Sequence, residues 1–273
     1  PITDSVGAVV AILLGQPRGL QCGEAVEDAT ATIKNAAAQP CVSQLAGKHR
    51  HCPFPAAAIG ISYGGGQKVS HLRHVRRPCD MPLNITSYPY QSGGFAMYSP
   101  QMYNCYNQTM EALLASHSDL CRNFKNSPWV VMTLNVGPQA VCFPHLNSRN
   151  LPWRWCSVTT FGEFNPNFSG HLVFWDLWLI IQFPPSTTIL IQSALMRHSN
   201  TLVRDGEARY SITQYSAGRL FCWVENRLVS DKKCNAEAKQ NPALKAKHDT
   251  ACATCWQRAL NMLSHQKEFW LQA

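Results

Sequence analysis

Between Pro128 and Asn226 the chain runs through one β-branched or aromatic segment after another: "WVVMTLNVG", "WCSVTTFGEF", "GHLVFWDLWLIIQF", "TTILIQSALMRHS" and "ARYSITQYSAGRLFCWV". Gly, Pro and Asn break them about 8–14 residues apart, the cadence of an all-β sandwich or barrel. Five such segments in succession oblige the chain to build sheet, and they predict a β-core over 128–226. Within it, "WDLWLIIQF" reads as a core strand whose two tryptophans need no cofactor to explain them.

The flanks read as helix. "GEAVEDATATIKNAAAQ" (Gly23 to Gln39) is Ala-rich with scattered charges, and "SPQMYNCYNQTMEALLASHSDL" (Ser99 to Leu120) opens on a Ser-Pro start signal. Lys232 to Ala273 is polar and again helical. "AAAIGISYGGGQ" (Ala56 to Gln67) predicts a short strand entering a flexible glycine turn, since no G-K-[ST] follows to make a phosphate loop. The fold class expected is α+β in one domain spanning 1–273: a mixed helical support over 1–127, the sheet core over 128–226, and C-terminal helices over 227–273.

With 45% hydrophobic and 15% charged residues there is ample material for a core. The longest apolar run, "VGAVVAILLG", is too short for a bilayer, which needs about 20 residues; it predicts a buried strand, and no membrane is expected. The chain begins at Pro1, so an upstream segment is expected to be missing. Lys and Arg number 24 against 16 Asp and Glu, a net +8 that favours polyanions, DNA or another nucleic acid being the usual candidate. Part of the excess lies in "HLRHVRR" (His71 to Arg77) and "KAKH" (Lys245 to His248), runs that also suit solvated loops.

Twelve cysteines and sequon-like triplets at Asn84, Asn107 and Asn167 keep a secreted, disulfide-linked β protein as an alternative. Against it, the cysteines sit singly within apolar segments, and an intracellular setting is expected, the nucleus included. The one C-x-x-C, Cys252 to Cys255, has no second pair at zinc-ribbon spacing. Cys252, Trp256, Leu260 and Leu263 repeat at helical spacing, which predicts core packing.

Chemistry enters through an ordered set. His145 precedes one strand, His198 ends another, and Arg209 and Ser211 open a third in "RYS". Two histidines about fifty residues apart, then Arg, then Ser two further on, is the order that iron(II)/2-oxoglutarate oxygenases use. A non-haem iron that must bind a keto acid and dioxygen needs three protein ligands on one face and open positions on the other. An H-x-[DE] step supplies two of them, because alternate strand residues point the same way. Arg then offers a planar two-toothed donor to the distal carboxylate of 2-oxoglutarate, and Ser at i+2 adds a hydrogen bond.

Taken with "SYGGGQ", "CFPHLNSRN" and "GEARYSITQYSAGRLFCWVEN", these segments resemble a group of proteins from mushroom-forming fungi. That group is similar to the Tet/JBP branch of 2-oxoglutarate dioxygenases, the DNA-thymine and 5-methylcytosine oxidases. The resemblance runs from about Val9 to Trp270 and is strongest from Val141 to Asn226. It implies a double-stranded β-helix (jelly-roll) core and an oxidoreductase using Fe(II), 2-oxoglutarate and dioxygen. His145 and His198 would be metal ligands, Arg209 and Ser211 would bind 2-oxoglutarate, and a base of DNA would be the substrate. The family's His-x-Asp followed by Asn matches His145, Leu146, Asn147 and Asn150, so Asn147 stands at the metal-binding carboxylate position. "SGHL" (Ser169 to Leu172) stands where a Gly-Gly pair is usual.

Asn is close to Asp in shape but neutral, so the iron site is expected to be weakened. Glu163 lies too far along the chain to replace the missing carboxylate, and Asp176 sits in a separate strand. A catalytically inactive jelly-roll binding protein that keeps 2-oxoglutarate or DNA affinity is therefore the alternative. Phe161, Phe164 and Trp153 are candidates for a base-stacking pocket or plain core.

Overall fold

The strands that carry the site belong to two antiparallel sheets. The computed structural model describes residues 1–16, 20–38, 54–62, 73–75, 90–118, 120–124, 126–148, 150 and 153–270. The strands are β1 (Ile2–Thr3), β2 (Val9–Gly15), β3 (Ala56–Ser62), β4 (Arg73–Val75), β5 (Val131–Asn135), β6 (Cys156–Glu163), β7 (Leu172–Phe174), β8 (Leu179–Ile181), β9 (Thr188–Ile191), β10 (His198–Asn200) and β11 (Ala208–Tyr215). The larger sheet has the order β1-β2-β9-β6-β11-β5-β3-β4 and the smaller β10-β7-β8. The apolar run at Val9 forms a strand as expected, buried at Val9, Ala11 and Ile12 but exposed at Leu13. The confinement of the sheet to 128–226 is not observed: β2 pairs with β9 and β3 pairs with β5, so the N-terminal part supplies strands to the same sheet.

Period-two alternation splits β9 and β11 of the larger sheet between two environments. On β9, Leu190 packs with Phe95, Met102, Trp129 and Trp155, while Ile189 and Ile191 face the other way with Leu172 and Phe174 of the smaller sheet. On β11, Tyr210 and Ile212 meet Ala29, Ile33 and Ala36 of α1 (Leu20–Ala37), three residues on one helical stripe. The helices thus cover the outer face of the larger sheet. Its inner face is left to look across at the smaller one.

Two further helices complete that cover, α2 (Tyr90–Tyr98) and α3 (Pro100–Ser116). Pro100 opens α3, where its missing N–H costs no hydrogen bond. Phe95 of α2 stacks on Trp129 at 5.3 Å, and the Trp155 carbonyl accepts from both Tyr106 Oη and Trp129 Nε1 at 2.9 Å. Burial pushes the Tyr106 hydroxyl far above its ordinary range.

Three readings change. "SAGRLFCWV" does not extend the third strand; after Tyr215 it becomes α4 (Gly218–Glu225), burying Leu220, Phe221 and Trp223. "WDLWLIIQF" is not one core strand, because the chain reverses through a 3-10 turn at Trp175–Leu177 and returns as β8, leaving Trp175 and Trp178 exposed. The C-terminal helices α5 (Asp231–Gln240), α6 (Pro242–Leu260) and α7 (Gln266–Trp270) form as expected. On α6, however, Cys252 is exposed and Trp256 and Leu260 are only partly covered; of the expected stripe it is Leu263, just beyond the helix, that packs against the core. Among the described residues no helix is long and apolar enough to cross a membrane. The glycine turn at 64–66, Asn84 and most of the basic cluster at 71–77 lie outside the described residues.

Candidate functional site

Between the two sheets lies a cavity of about 420 Å³. Alternate residues of β11, namely Arg209, Ser211, Thr213 and Tyr215, form one wall of it, and Ile189 and Ile191 of β9 continue that wall. His145, Asn147, His198 and Asn200 line the opposite side. All five residues singled out from sequence therefore reach the same cavity.

Backbone pairing brings the two histidines together. His145 forms an antiparallel bridge with His198, N–H to carbonyl at 3.0 and 3.1 Å in the two directions. Their ring centroids lie 4.4 Å apart with planes at 52°. Each Nδ1 meets a carbonyl two residues back, His145 on Phe143 at 2.7 Å and His198 on Met196 at 2.8 Å. A carbonyl only accepts, so each Nδ1 must carry the proton, and in neutral imidazole the lone pair then sits on Nε2. This is the outer-sphere arrangement that orients metal-binding histidines.

Asn147 also reaches the cavity, although its segment is no strand. Its N–H donates to the Ser193 carbonyl at 2.9 Å and its carbonyl accepts from Asn150 N–H at 2.9 Å, which holds the loop against the turn before β10. Leu146 between His145 and Asn147 points outward and is exposed, so the alternation expected of H-x-[DE] survives. The Asn147 side chain makes no hydrogen bond to another described residue.

Arg209 is buried to 3% exposure. Its Nη1 donates to the Ala140 carbonyl at 2.6 Å, and its own N–H and carbonyl pair with Pro138 and Ala140. The β6 residue paired with it is Gly162, at φ +113°, where a Cβ would stand 2.2 Å from the Ala208 carbonyl oxygen. Only glycine fits there without moving β11. Ser211 Oγ accepts from Asn135 Nδ2 at 2.8 Å.

The carboxylates nearest in sequence are engaged elsewhere. Glu163 pairs with Lys34 on the surface, which holds its carboxyl below the usual range. Asp176 Oδ2 accepts from Arg197 N–H at 2.6 Å within the turn, not within a strand. Among the described residues no three His, Cys, Asp or Glu gather as a metal site, and no carboxylate lines the cavity. The ionisable lining groups are thus histidine, arginine, cysteine and tyrosine, a set that favours anions.

The aromatic candidates do not reach the cavity. Phe161 is core beneath α1, Trp153 packs with Trp256, and Phe164 lies under Gly170. Conversely, sequence reasoning missed Asn135 and Asn200. Asn200 Oδ1 accepts from Cys142 N–H at 2.9 Å and its Nδ2 donates to the Ala140 carbonyl at 3.3 Å, fixing the segment that carries His145. The available signal was its place two residues beyond His198.

No family model matches the chain, and no curated protein matches it by sequence. Among solved structures it is similar to NgTET1, the Naegleria TET1, in complex with 5mC DNA, at 15% identity, 79% of this chain, 75% of that one and a TM-score of 0.42. It is also similar to an oxidoreductase of the 2OG-Fe(II) oxygenase family from Burkholderia pseudomallei, at 13% identity, 64% and 75% coverage and 0.36. A third is the collagen prolyl hydroxylase of Paramecium Bursaria Chlorella virus-1 in its 2OG complex, at 13%, 39% and 68%, and 0.26.

Proposed function

We propose that the chain is an iron(II)- and 2-oxoglutarate-dependent dioxygenase of the Tet/JBP kind, with iron held by His145 and His198 and weakly by the Asn147 amide oxygen. One observation carries this reading. The two imidazoles lie ring against ring with both Nδ1 atoms turned onto backbone carbonyls, so the two Nε2 atoms are the ones suited to share a cation. Such a donor set suits a divalent transition metal, although an amide oxygen is a poorer third ligand than a carboxylate.

The remaining roles follow from the cavity. Arg209 and Ser211, on alternate positions of one strand, would hold the distal carboxylate of 2-oxoglutarate, and the apolar wall of Ile189 and Ile191 would cover its methylenes. Iron, when bound with 2-oxoglutarate, would supply the power to oxidise a C–H bond with dioxygen; the chain binds, orients and shields the reactants. Taken together, the eight-stranded and three-stranded sheets around the cavity read as a double-stranded β-helix within a single domain of 1–273. A nucleic-acid base as substrate rests on the Tet/JBP resemblance and the net +8. A base in duplex DNA would have to be flipped out to reach the cavity, and the setting would then be the nucleus.

The second reading is a non-catalytic protein that binds 2-oxoglutarate or DNA. It is favoured by Asn147 and by the lack of a carboxylate among the described lining residues. Anaerobic iron(II) titration with and without 2-oxoglutarate separates the two. The dioxygenase binds iron, more tightly with 2-oxoglutarate present; failure to bind iron at all removes that reading, and 2-oxoglutarate binding without iron supports the second.

A further inference from the structure

A second group of metal-ligating side chains stands on α6, and none of its members lines the cavity. His248, Cys252 and Cys255 follow one another at i, i+4 and i+7, which is a single stripe of the helix. Helical spacing alone assigns this stripe to the core. The structure leaves it open: Cys252 is exposed, Cys255 is half-buried, and Trp256 beside them is 46% exposed. Packing therefore does not account for the Cys252 thiol.

The geometry of the first pair is that of two metal donors. Cys252 Sγ lies 3.9 Å from both Nδ1 and Nε2 of His248. A tetrahedral zinc holds a thiolate sulfur at about 2.3 Å and an imidazole nitrogen at about 2.0–2.1 Å, which sets the two atoms about 3.6 Å apart. The pair is thus already close to the separation that a shared ion imposes. Turning the imidazole about its own axis is enough to aim a nitrogen at the ion, and the i, i+4 step is the one by which helices present two histidines to zinc.

The surroundings agree with a cation. Asp249 Oδ1 stands 3.9 Å from His248 Nδ1, the position of a carboxylate that directs the opposite nitrogen, Nε2, to a metal. Lys245 answers the other Asp249 oxygen at 2.6 Å, so these two charges offset one another beside the ring. A soft thiolate with an imidazole suits zinc(II) rather than the oxygen-bound metals. Among the described residues no third His, Cys, Asp or Glu joins the pair, so water completes the coordination.

We propose that His248 and Cys252 form a surface site for zinc(II), open to water at its remaining positions. This site is separate from the cavity and does not rest on the dioxygenase reading. Because the ion displaces the thiol proton, its binding tightens as pH rises.

The test is anaerobic titration of the reduced, metal-free full chain with cobalt(II), followed by zinc(II). Cobalt bound to a thiolate gives a charge-transfer absorption that cobalt on nitrogen and oxygen alone lacks. The wild type is expected to show that band and to lose it as zinc displaces cobalt. Cys252→Ser should abolish the band, and His248→Gln should weaken binding at least about tenfold, since even an outer-sphere partner of a metal is worth that much. Both positions lie on the outside of α6, so the thermal midpoint without metal should not move. Cys142→Ser, which removes the thiol in the cavity lining, should leave the band intact. Absence of the band in the wild type overturns the proposal. So does a band that survives Cys252→Ser, an affinity that His248→Gln leaves unchanged, or a band lost in Cys142→Ser.

Discussion

Asn147→Asp tests the proposed metal site at the one position where residue type and chemistry disagree. The exchange is nearly isosteric. The Asn147 side chain makes no hydrogen bond to a described residue, so no such bond is lost, and among the described residues no carboxylate lines the cavity to repel the new charge. Among the described lining residues, the groups that carry or can take a positive charge are His145, His198 and Arg209. Against this stands the desolvation of a carboxylate at a half-buried position.

The gross attraction between unit charges 4 Å apart is about 4 kcal/mol at an effective dielectric of 20. A bound divalent ion increases it, and desolvation with displaced water takes back most of it. A net gain of about 1.4–2.8 kcal/mol corresponds to iron(II) binding about 10- to 100-fold tighter. The assay is anaerobic iron(II) titration of both proteins, followed by succinate release at matched iron, ascorbate and oxygen. The wild type is expected to bind loosely and release little succinate, and the aspartate variant to improve on both. Equal affinity and equal turnover would show that Asn147 is not the deficient ligand. If neither protein binds iron, the site has lost more than one carboxylate and the binding-protein reading prevails.

Other outcomes follow from the same geometry. Arg209→Lys keeps the charge but loses the planar fork, and should weaken 2-oxoglutarate binding at least tenfold, about 1.4 kcal/mol, by calorimetry; unchanged affinity would remove Arg209 from that role. Gly162→Ala sets a Cβ against the Ala208 carbonyl at a φ reserved for glycine, and should cost about 2–4 kcal/mol in urea unfolding. Glu207 is held below the usual carboxyl range by the Ser169 hydroxyl first and then by the Asn165 and Arg204 N–H groups. Its contribution is therefore full above its unfolded pKa of about 4.3 and lost as pH falls through the lower folded value. Amide-exchange protection at Asn165 and Arg204 should fall in that window, and in Glu207→Gln it should not follow pH. All twelve cysteines should titrate as thiols under denaturing, non-reducing conditions, with Cys156 among the slowest in the native state because burial pushes its thiol up to about 11; a shortfall by pairs would return the secreted reading.

On β11 the residues that face the cavity were legible because strand periodicity decides facing. Once Arg209 is placed inward, Ser211 must follow. What the periodicity of 128–226 cannot say is which distant strands join the sheet, and so β2 and β3 were not foreseen as its members. "LFCWV" is a short apolar run of the kind that period alone cannot divide between strand and helix, and tertiary packing against Tyr106 made it helix. Helical spacing on α6 identified a stripe, but spacing does not reveal whether anything covers it.

Two illegible features lie at the same end of the cavity. "WDLWLIIQF" contains no Gly, Pro or Asn, so no rule of turn chemistry predicts a reversal there; the chain makes it by placing Trp178 in a left-handed conformation. Asn147 breaks the ligand rule in the neighbouring loop. Failures of local rules are expected where function or strain overrides foldability. A buried guanidinium pays a desolvation penalty that an apolar residue of similar size avoids; Arg209 is 3% exposed and recovers part of it at the Ala140 carbonyl. A dicarboxylate such as 2-oxoglutarate in the cavity would add a planar, two-toothed partner for the same group, as the proposed dioxygenase requires.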